Sequence, residues 1–272
     1  MLTDLAYAFR TLRKSPVFTI TVIVTIALAI GASTAIYSVT NGVLLRKLPY
    51  KDPERLVLVR GDLQKRNVKD FPISNVDFLD VKNGAKNNFD DFAAVQTFRF
   101  TLPALDGTPE RVRMAVVSTN FFQMMGGSII AGRDFQESDG VPQPPPPAGA
   151  DANAPAANAL PTMVILSHEY FQQRFGGDRA VIGQTLPVSA AFGPPPIIVG
   201  VLAPGFELLF PPKANQEQFP SVWIAGRIPY DVANRNNVQW RVIGRLKPGA
   251  SIQQGQAEVE TIVQKIRAEN TI

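Results

Sequence analysis

The side chains able to carry chemistry are few. The 272-residue chain holds one histidine, His168, and no cysteine. A thiolate zinc site, an iron–sulfur cluster and a disulfide scaffold are therefore excluded. A metal centre would have to be assembled from carboxylates around His168, and none cluster there in the sequence. His168 opens the run HEYFQQRF and reads as a helix-capping or surface residue. Asp77 and Asp80 are three apart on one helix face. Paired-carboxylate chemistry would need a further group from elsewhere, and a solvated face is the simpler reading. Ser167, Ser189 and Ser221 lack the strand–turn–helix setting of a nucleophile elbow. There is no GxxxxGKS/T loop to cradle a nucleotide. Gly126-Gly127 and Gly176-Gly177 follow helical runs and read as helix stops. Trp223 and Trp240 read as core or subdomain-interface anchors rather than ligand platforms. No catalytic, cofactor-binding or metal-binding residue is assigned, and no cofactor is expected.

The elements that would position a site are more legible. Lysine and arginine total 27 against 23 acidic residues, a formal charge of +4, with no basic run long enough for a nucleic-acid surface. Apolar weight is concentrated near the start. No residue from Ser15 to Leu45 carries a formal charge, and the densest part runs from Pro16 to Val39. About 20 helical residues span a hydrocarbon core of ~30 Å, so this stretch suffices for a transmembrane helix. A signal peptide is the rival reading, but its apolar part would be ~7–15 residues and end at a small-residue cleavage site. The longer run here, with no clear site before Asn41 and Leu44-Leu45, favours a retained anchor. Arg10, Arg13 and Lys14 precede it, while Arg46 and Lys47 follow, so adjacent charge gives only a weak bias toward a cytoplasmic amino end. Leu2, Leu5, Phe9 and Leu12 recur at helical spacing. Residues 1–14 read either as an amphipathic helix on the inner membrane face or as the start of the same long helix. Gly31 and Ala35 form a small-xxx-small pair that could meet another helix.

Beyond Lys47 the chain turns globular. Strands are expected around Leu56–Val59, in DFAAVQTFRFTL before a turn at Asp106-Gly107, and in RVRMAVVS. Further strands are expected in MVILS, TLPVSA, IIVGVLA, SVWIA and WRVIGRL. Helices are expected after Ser74, which precedes Asp77 by three in a capping-box variant, in TNFFQMM, in HEYFQQRF, and from Ser251 to the carboxyl end. Residues 140–161 are rich in proline, alanine and glycine and read as a disordered loop with polyproline-II character. The pattern is that of an α/β or α+β body with about four helices.

Several stretches, taken in order, resemble the amino-terminal half of a MacB/FtsX-type ABC transporter permease, closest to the duplicated orphan permeases first noted in Acidobacteria. They are DLAYAFRTLRKSPVFT from Asp4, ALAIGASTAIYSVTNGVLLRKLPYKDPERLV from Ala27 and ISNVDFLDVK from Ile73. PERVRMAVVSTNFFQMMGGSIIAGRDF from Pro109 and VILSHEYFQQRFGGDRAVIGQTL from Val164 continue the likeness. IIVGVLAPGF from Ile197, SVWIA from Ser221 and WRVIGRLKPGASIQQGQAEVE from Trp240 complete it. The resemblance favours α+β, and implies a cytoplasmic-face helix over 1–14, a transmembrane helix over 15–48 and a periplasmic core domain over 49–268. That domain would have a mixed α/β lobe, about 49–118 plus 215–268, and an inserted lobe, about 119–214.

Three departures stand out. No further apolar span follows the core domain, so the chain is expected to be a truncated portion of a permease. SAAFGPPP, from Ser189, replaces the family's short reverse turn. The 142–161 tract is longer than expected.

The implied partners are a cytoplasmic ABC ATPase subunit, further permease helices or a second permease half, and other periplasmic efflux components, with no nucleic acid. The implied place is the bacterial inner membrane, with the amino end cytoplasmic and the domain periplasmic. The chain itself is expected to be no enzyme. The alternative reading is a stand-alone membrane-anchored periplasmic binding or adaptor protein.

Overall fold

The computed structural model describes residues 7, 10, 12–40, 48–63, 68–103, 108–144, 159–186, 194–211, 214 and 216–270. The chain forms two compact units, Met1–Leu48 and Pro49–Ile272. The first is dominated by α1, Pro16–Thr40, whose Pro16 sits where a missing N–H costs nothing. Its window Pro16–Ser38 has the length and composition of a membrane span. Val17, Phe18, Ile20 and Leu28 are all more than half exposed, an arrangement suited to lipid rather than water. Thr19, Thr21 and Thr25 return their hydroxyls to carbonyls four residues earlier, as polar side chains in an apolar helix do. Tyr7, Arg10 and Leu12 to Lys14 are helical, while Leu2, Leu5 and Phe9 of the expected stripe lie outside the described residues.

The second unit is built on one nine-stranded mixed sheet. In chain order its strands are β1 (Leu56–Val59), β4 (Ile73–Ser74), β5 (Phe89–Pro103), β6 (Pro109–Val117), β7 (Ile129–Gly132), β8 (Met163–Leu166), β9 (Ile197–Leu202), β10 (Val222–Ala225) and β11 (Val238–Leu246). A separate hairpin pairs β2 (Gly61–Leu63) with β3 (Val68–Phe71). Across the sheet the order is β1-β11-β5-β6-β10-β8-β9-β7, with β4 also against β11. The pairs β6/β10 and β8/β9 are parallel, and the other neighbours are antiparallel.

Both faces of the sheet are covered in its middle, which is why β8 and β9 read as continuous apolar runs. One face carries α3 (Phe121–Met125), with Phe122 and Phe206 T-shaped against Trp223 and Phe121 tilted beside it. Each such ring pair adds about 0.5–1.5 kcal/mol beyond burial. The opposite face is shared. Helix α2 (Asn75–Gly84) and helix α5 (Ile252–Asn270) cover β5 and β11 around Trp240. Helix α4 (His168–Phe175) covers β6, β8, β9 and β10.

Local chemistry sets the helix ends. Ser74 Oγ accepts from the Asp77 amide at 3.1 Å and Ser167 Oγ from the Tyr170 amide at 3.2 Å. Gly126 and Gly176 close α3 and α4 at positive φ. The four helices of this unit stand where the sequence pattern puts them. The expected strand TLPVSA is reduced to a single bridge from Thr185 to Ile197, with residues 187–193, Ser189 among them, outside the described set. The Asp106-Gly107 turn and residues 145–158 of the proline-rich tract lie outside it as well.

Candidate coupling site

The residues singled out for chemistry do not converge. His168 is the first residue of α4 and half-buried, and Ser167 rather than His168 caps that helix. Ser221 serves the sheet, its amide bonded to the Arg113 carbonyl at 2.7 Å. Asp77 and Asp80 correct the solvated-face reading. Arg235, from the loop before β11, is inserted between them and donates to both, at 3.1 Å to Asp80. Tyr230 donates to Asp80 at 3.0 Å. These carboxylates pin the 226–237 loop onto α2. Among the described residues no group of three or more metal-ligating side chains stands together. A shallow groove of about 490 Å³ runs between α2 and α5 beside Gly84 and Ile262. Its one carboxylate, Glu258, is occupied by three donors at 2.8 Å: the amides of Asn87 and Asn88 and the Asn88 side chain. Burial opposes its ionisation, but those donors outweigh it and hold the carboxyl below its usual range.

The most heavily constrained polar cluster lies where the chain from the apolar helix joins the domain, over Pro49 to Arg55. Four parts of the domain grip this segment: the 206–209 loop, the end of α3, β11 and β5. Tyr50 donates its hydroxyl to the Glu207 carbonyl at 2.8 Å and accepts from the Leu209 amide at 2.7 Å. Its ring meets Phe206 at 6.2 Å. Burial pushes its phenol up to about 12, with the Leu209 bond acting against the rise. The Lys51 amide bonds the Met125 carbonyl at the end of α3, at 3.0 Å.

From β11 the buried Arg245 donates to the carbonyls of Lys51 and Met124, both at 2.6 Å, and of Asp52 at 3.2 Å. Burial pulls the Arg245 guanidinium down, with Asp52 acting against the fall. Arg55 donates to the Leu246 carbonyl at 2.8 Å and pairs with Asp90 of β5. Asp52 takes the left-handed conformation, φ 41°, to turn the chain into the 3₁₀ turn Pro53–Arg55. Gly126 fits the same arrangement twice. Its φ is +82°, and a Cβ there would stand 2.9 Å from the Lys51 Cβ.

This cluster joins the inlet segment to β11, the strand that leads into α5, so both ends of the domain's chain are tied at one place. Sequence reasoning missed it. The available signal was parity: Arg241 and Arg245 fall in register with Ile243, on the face that Ala93 and Val95 bury. A strand covered on both sides that carries arginine at inward positions must hand those donors to fixed acceptors.

A family model, the MacB-like periplasmic core domain, matches residues 19–262. The chain belongs to that family. The MacB-like domain also shares its fold with a domain of a putative permease protein from Porphyromonas gingivalis. That likeness has a TM-score of 0.53 at 16% identity, covering 81% of this chain and 84% of that one. The periplasmic region of MacB from Actinobacillus actinomycetemcomitans is similar at TM-score 0.49 and 9% identity, over 78% and 83% of the two chains. The extracellular domain of YknZ, a noncanonic ABC-type transporter from Gram-positive bacteria, is similar at 0.44 and 13%, over 75% and 86%. None of the curated proteins compared matches the chain.

Proposed function

We propose that this chain supplies the first membrane helix and the periplasmic core domain of a transporter permease, and that Pro49–Arg55 is the mechanical link between them. The carrying observation is the clamp of Arg245 and Tyr50 on that segment. Helix α1 spans the inner membrane with Arg10, Arg13 and Lys14 on the cytoplasmic side. There a cytoplasmic ABC ATPase drives its movement, and further permease helices or a second permease half complete the membrane part. The domain is non-catalytic and passes that movement to other periplasmic efflux components. Within it, a lobe of about 49–118 plus 215–268 and an inserted lobe of about 119–214 meet where β10 pairs with β8. By resemblance of its residues, the permease is of the duplicated orphan kind first noted in Acidobacteria. Support comes from the family membership, from the exposed apolar surface of α1, and from a junction where Arg245 and Tyr50 bond backbone carbonyls.

The absence of native cysteine makes the topology directly testable. Single cysteines are placed at Lys14 and at exposed Gln173 of α4, and spheroplasts are treated with a membrane-impermeant maleimide. K14C is expected to label only after permeabilisation and Q173C before it. The reverse pattern, or equal labelling of both, would contradict the reading.

A further inference from the structure

The far end of the β5–β6 hairpin presents a row of three exposed arginines on one face. Register sets Arg99 of β5 directly opposite Arg113 of β6, and Thr101 opposite Arg111. All three guanidiniums issue from the face that Ala93, Val95, Ala115 and Val117 bury nearer the middle of the sheet, yet here that face is exposed. Like charges set directly opposite on paired strands cost stability. One carboxylate answers the three: Glu217 holds Arg99 through two bonds, at 2.6 and 3.3 Å. Among the described residues neither Arg111 nor Arg113 forms an ion pair, and Arg113 lies over the half-exposed ring of Phe219 at 6.0 Å, which holds it outward.

We propose that this row is a docking surface for an extended acidic segment of another protein. Arg111 and Arg113 are two residues apart on one face, so their side chains repeat at ~6.6 Å, the spacing of alternate side chains in any extended chain. A segment with carboxylates at every second position matches that repeat. The planar guanidinium fork favours carboxylate pairing of the kind Glu217 already makes with Arg99. Anionic lipid headgroups are the other source of negative charge. The fixed strand repeat favours the peptide, and the test separates the two sources.

The test uses the full chain in phosphatidylcholine nanodiscs. Fluorescein-labelled deca-glutamate is titrated by anisotropy at low salt and then near ~150 mM, where screening is strong. Phosphatidylglycerol vesicles are the second probe. The expected result is salt-sensitive binding of the peptide. R111E/R113E should weaken it by about tenfold or more, while R179E/R267E, an equal charge change at exposed sites on other elements, leaves it unchanged. If the charge reversal prevents folding, R111T/R113T keeps the β propensity and is expected to give the same loss. The inference is overturned if deca-glutamate does not bind at low salt, if R179E/R267E weakens binding as much as the arm variants, or if vesicles are captured through the arm while the peptide is not.

Discussion

Arg245 and Arg113 lie on the same face of one sheet, yet they do opposite things. Arg245 is 6% exposed and surrounded by backbone carbonyls of Lys51, Asp52 and Met124. Arg113 is exposed, with another arginine opposite and an aromatic ring beneath. At the inlet the positive charge is spent inside the fold, holding three backbone segments together. At the far end it is left on the surface, over the Phe219 ring and opposite a second arginine. A residue's type and strand parity are the same at both places. Only what covers the sheet differs, and that coverage separates a joint from a contact surface.

The contrast breaks most readily at Arg245. Replacing it with methionine keeps the apolar bulk but leaves three carbonyls without donors, at about 1 kcal/mol or more each. A loss of about 3 kcal/mol is expected, roughly 6–12 °C in thermal midpoint for a unit of this size, followed by circular dichroism of the full chain. If R245M melts like the wild type, the junction is not a clamp.

Gly126→Ala probes the same joint sterically. It forces a side chain to positive φ and against Lys51, and a fall of about 1–2 kcal/mol is expected. Chemical denaturation at neutral pH measures it.

The phenol of Tyr50 gives a pH handle. The fold favours the protonated hydroxyl, raising its titration from the ordinary 10 to about 12. Its contribution is therefore complete below pH ~10 and is lost as pH climbs toward 12. Burial also pushes Tyr170, on α4, up to about 12. Y50F is expected to remove part of the alkaline decline and Y170F a separate part. An unchanged alkaline limb in Y50F would mean that the hydroxyl is not held as described.

The smallest effect is expected at the arm. R113T should stay within about 0.5 kcal/mol of wild type, on the stabilising side because Arg99 loses a like-charged neighbour, and salt should erase the difference. A large loss there would remove the contrast with Arg245.

Features with short-range causes were legible in the sequence. Ser74 and Ser167 cap their helices three residues on, Gly126 and Gly176 stop theirs, and the charge-free run of α1 needs no partner to be recognised. Trp223 and Trp240 were readable as core by size and setting. Family membership and the α+β architecture followed from ordered stretches of residues along the chain.

Features with long-range causes were not. Asp77 and Asp80 look solvated until Arg235, 155 or more residues later, is folded against them. Strands β2, β3, β4 and β7 are two to four residues long, too short for a periodic signal. Strand β7 also ends at Gly132, where the Val199 carbonyl would stand 2.1 Å from a Cβ, so its glycine marks close backbone approach rather than a turn. The junction was hidden because its acceptors are backbone carbonyls, which every residue has. Sequence names the donor, Arg245, but not the three peptides it serves.

Residue-resolved hydrogen exchange on the full chain in nanodiscs tests the rigid junction most directly. The Lys51 amide is bonded to Met125 and the Leu209 amide to the Tyr50 hydroxyl. Both should exchange as slowly as the core of β11 in the wild type. In R245M the Lys51 amide should exchange far faster, while the β5–β6 arm is unchanged. Rapid exchange of Lys51 and Leu209 in the wild-type protein would contradict a rigid clamp on Pro49–Arg55 within the domain.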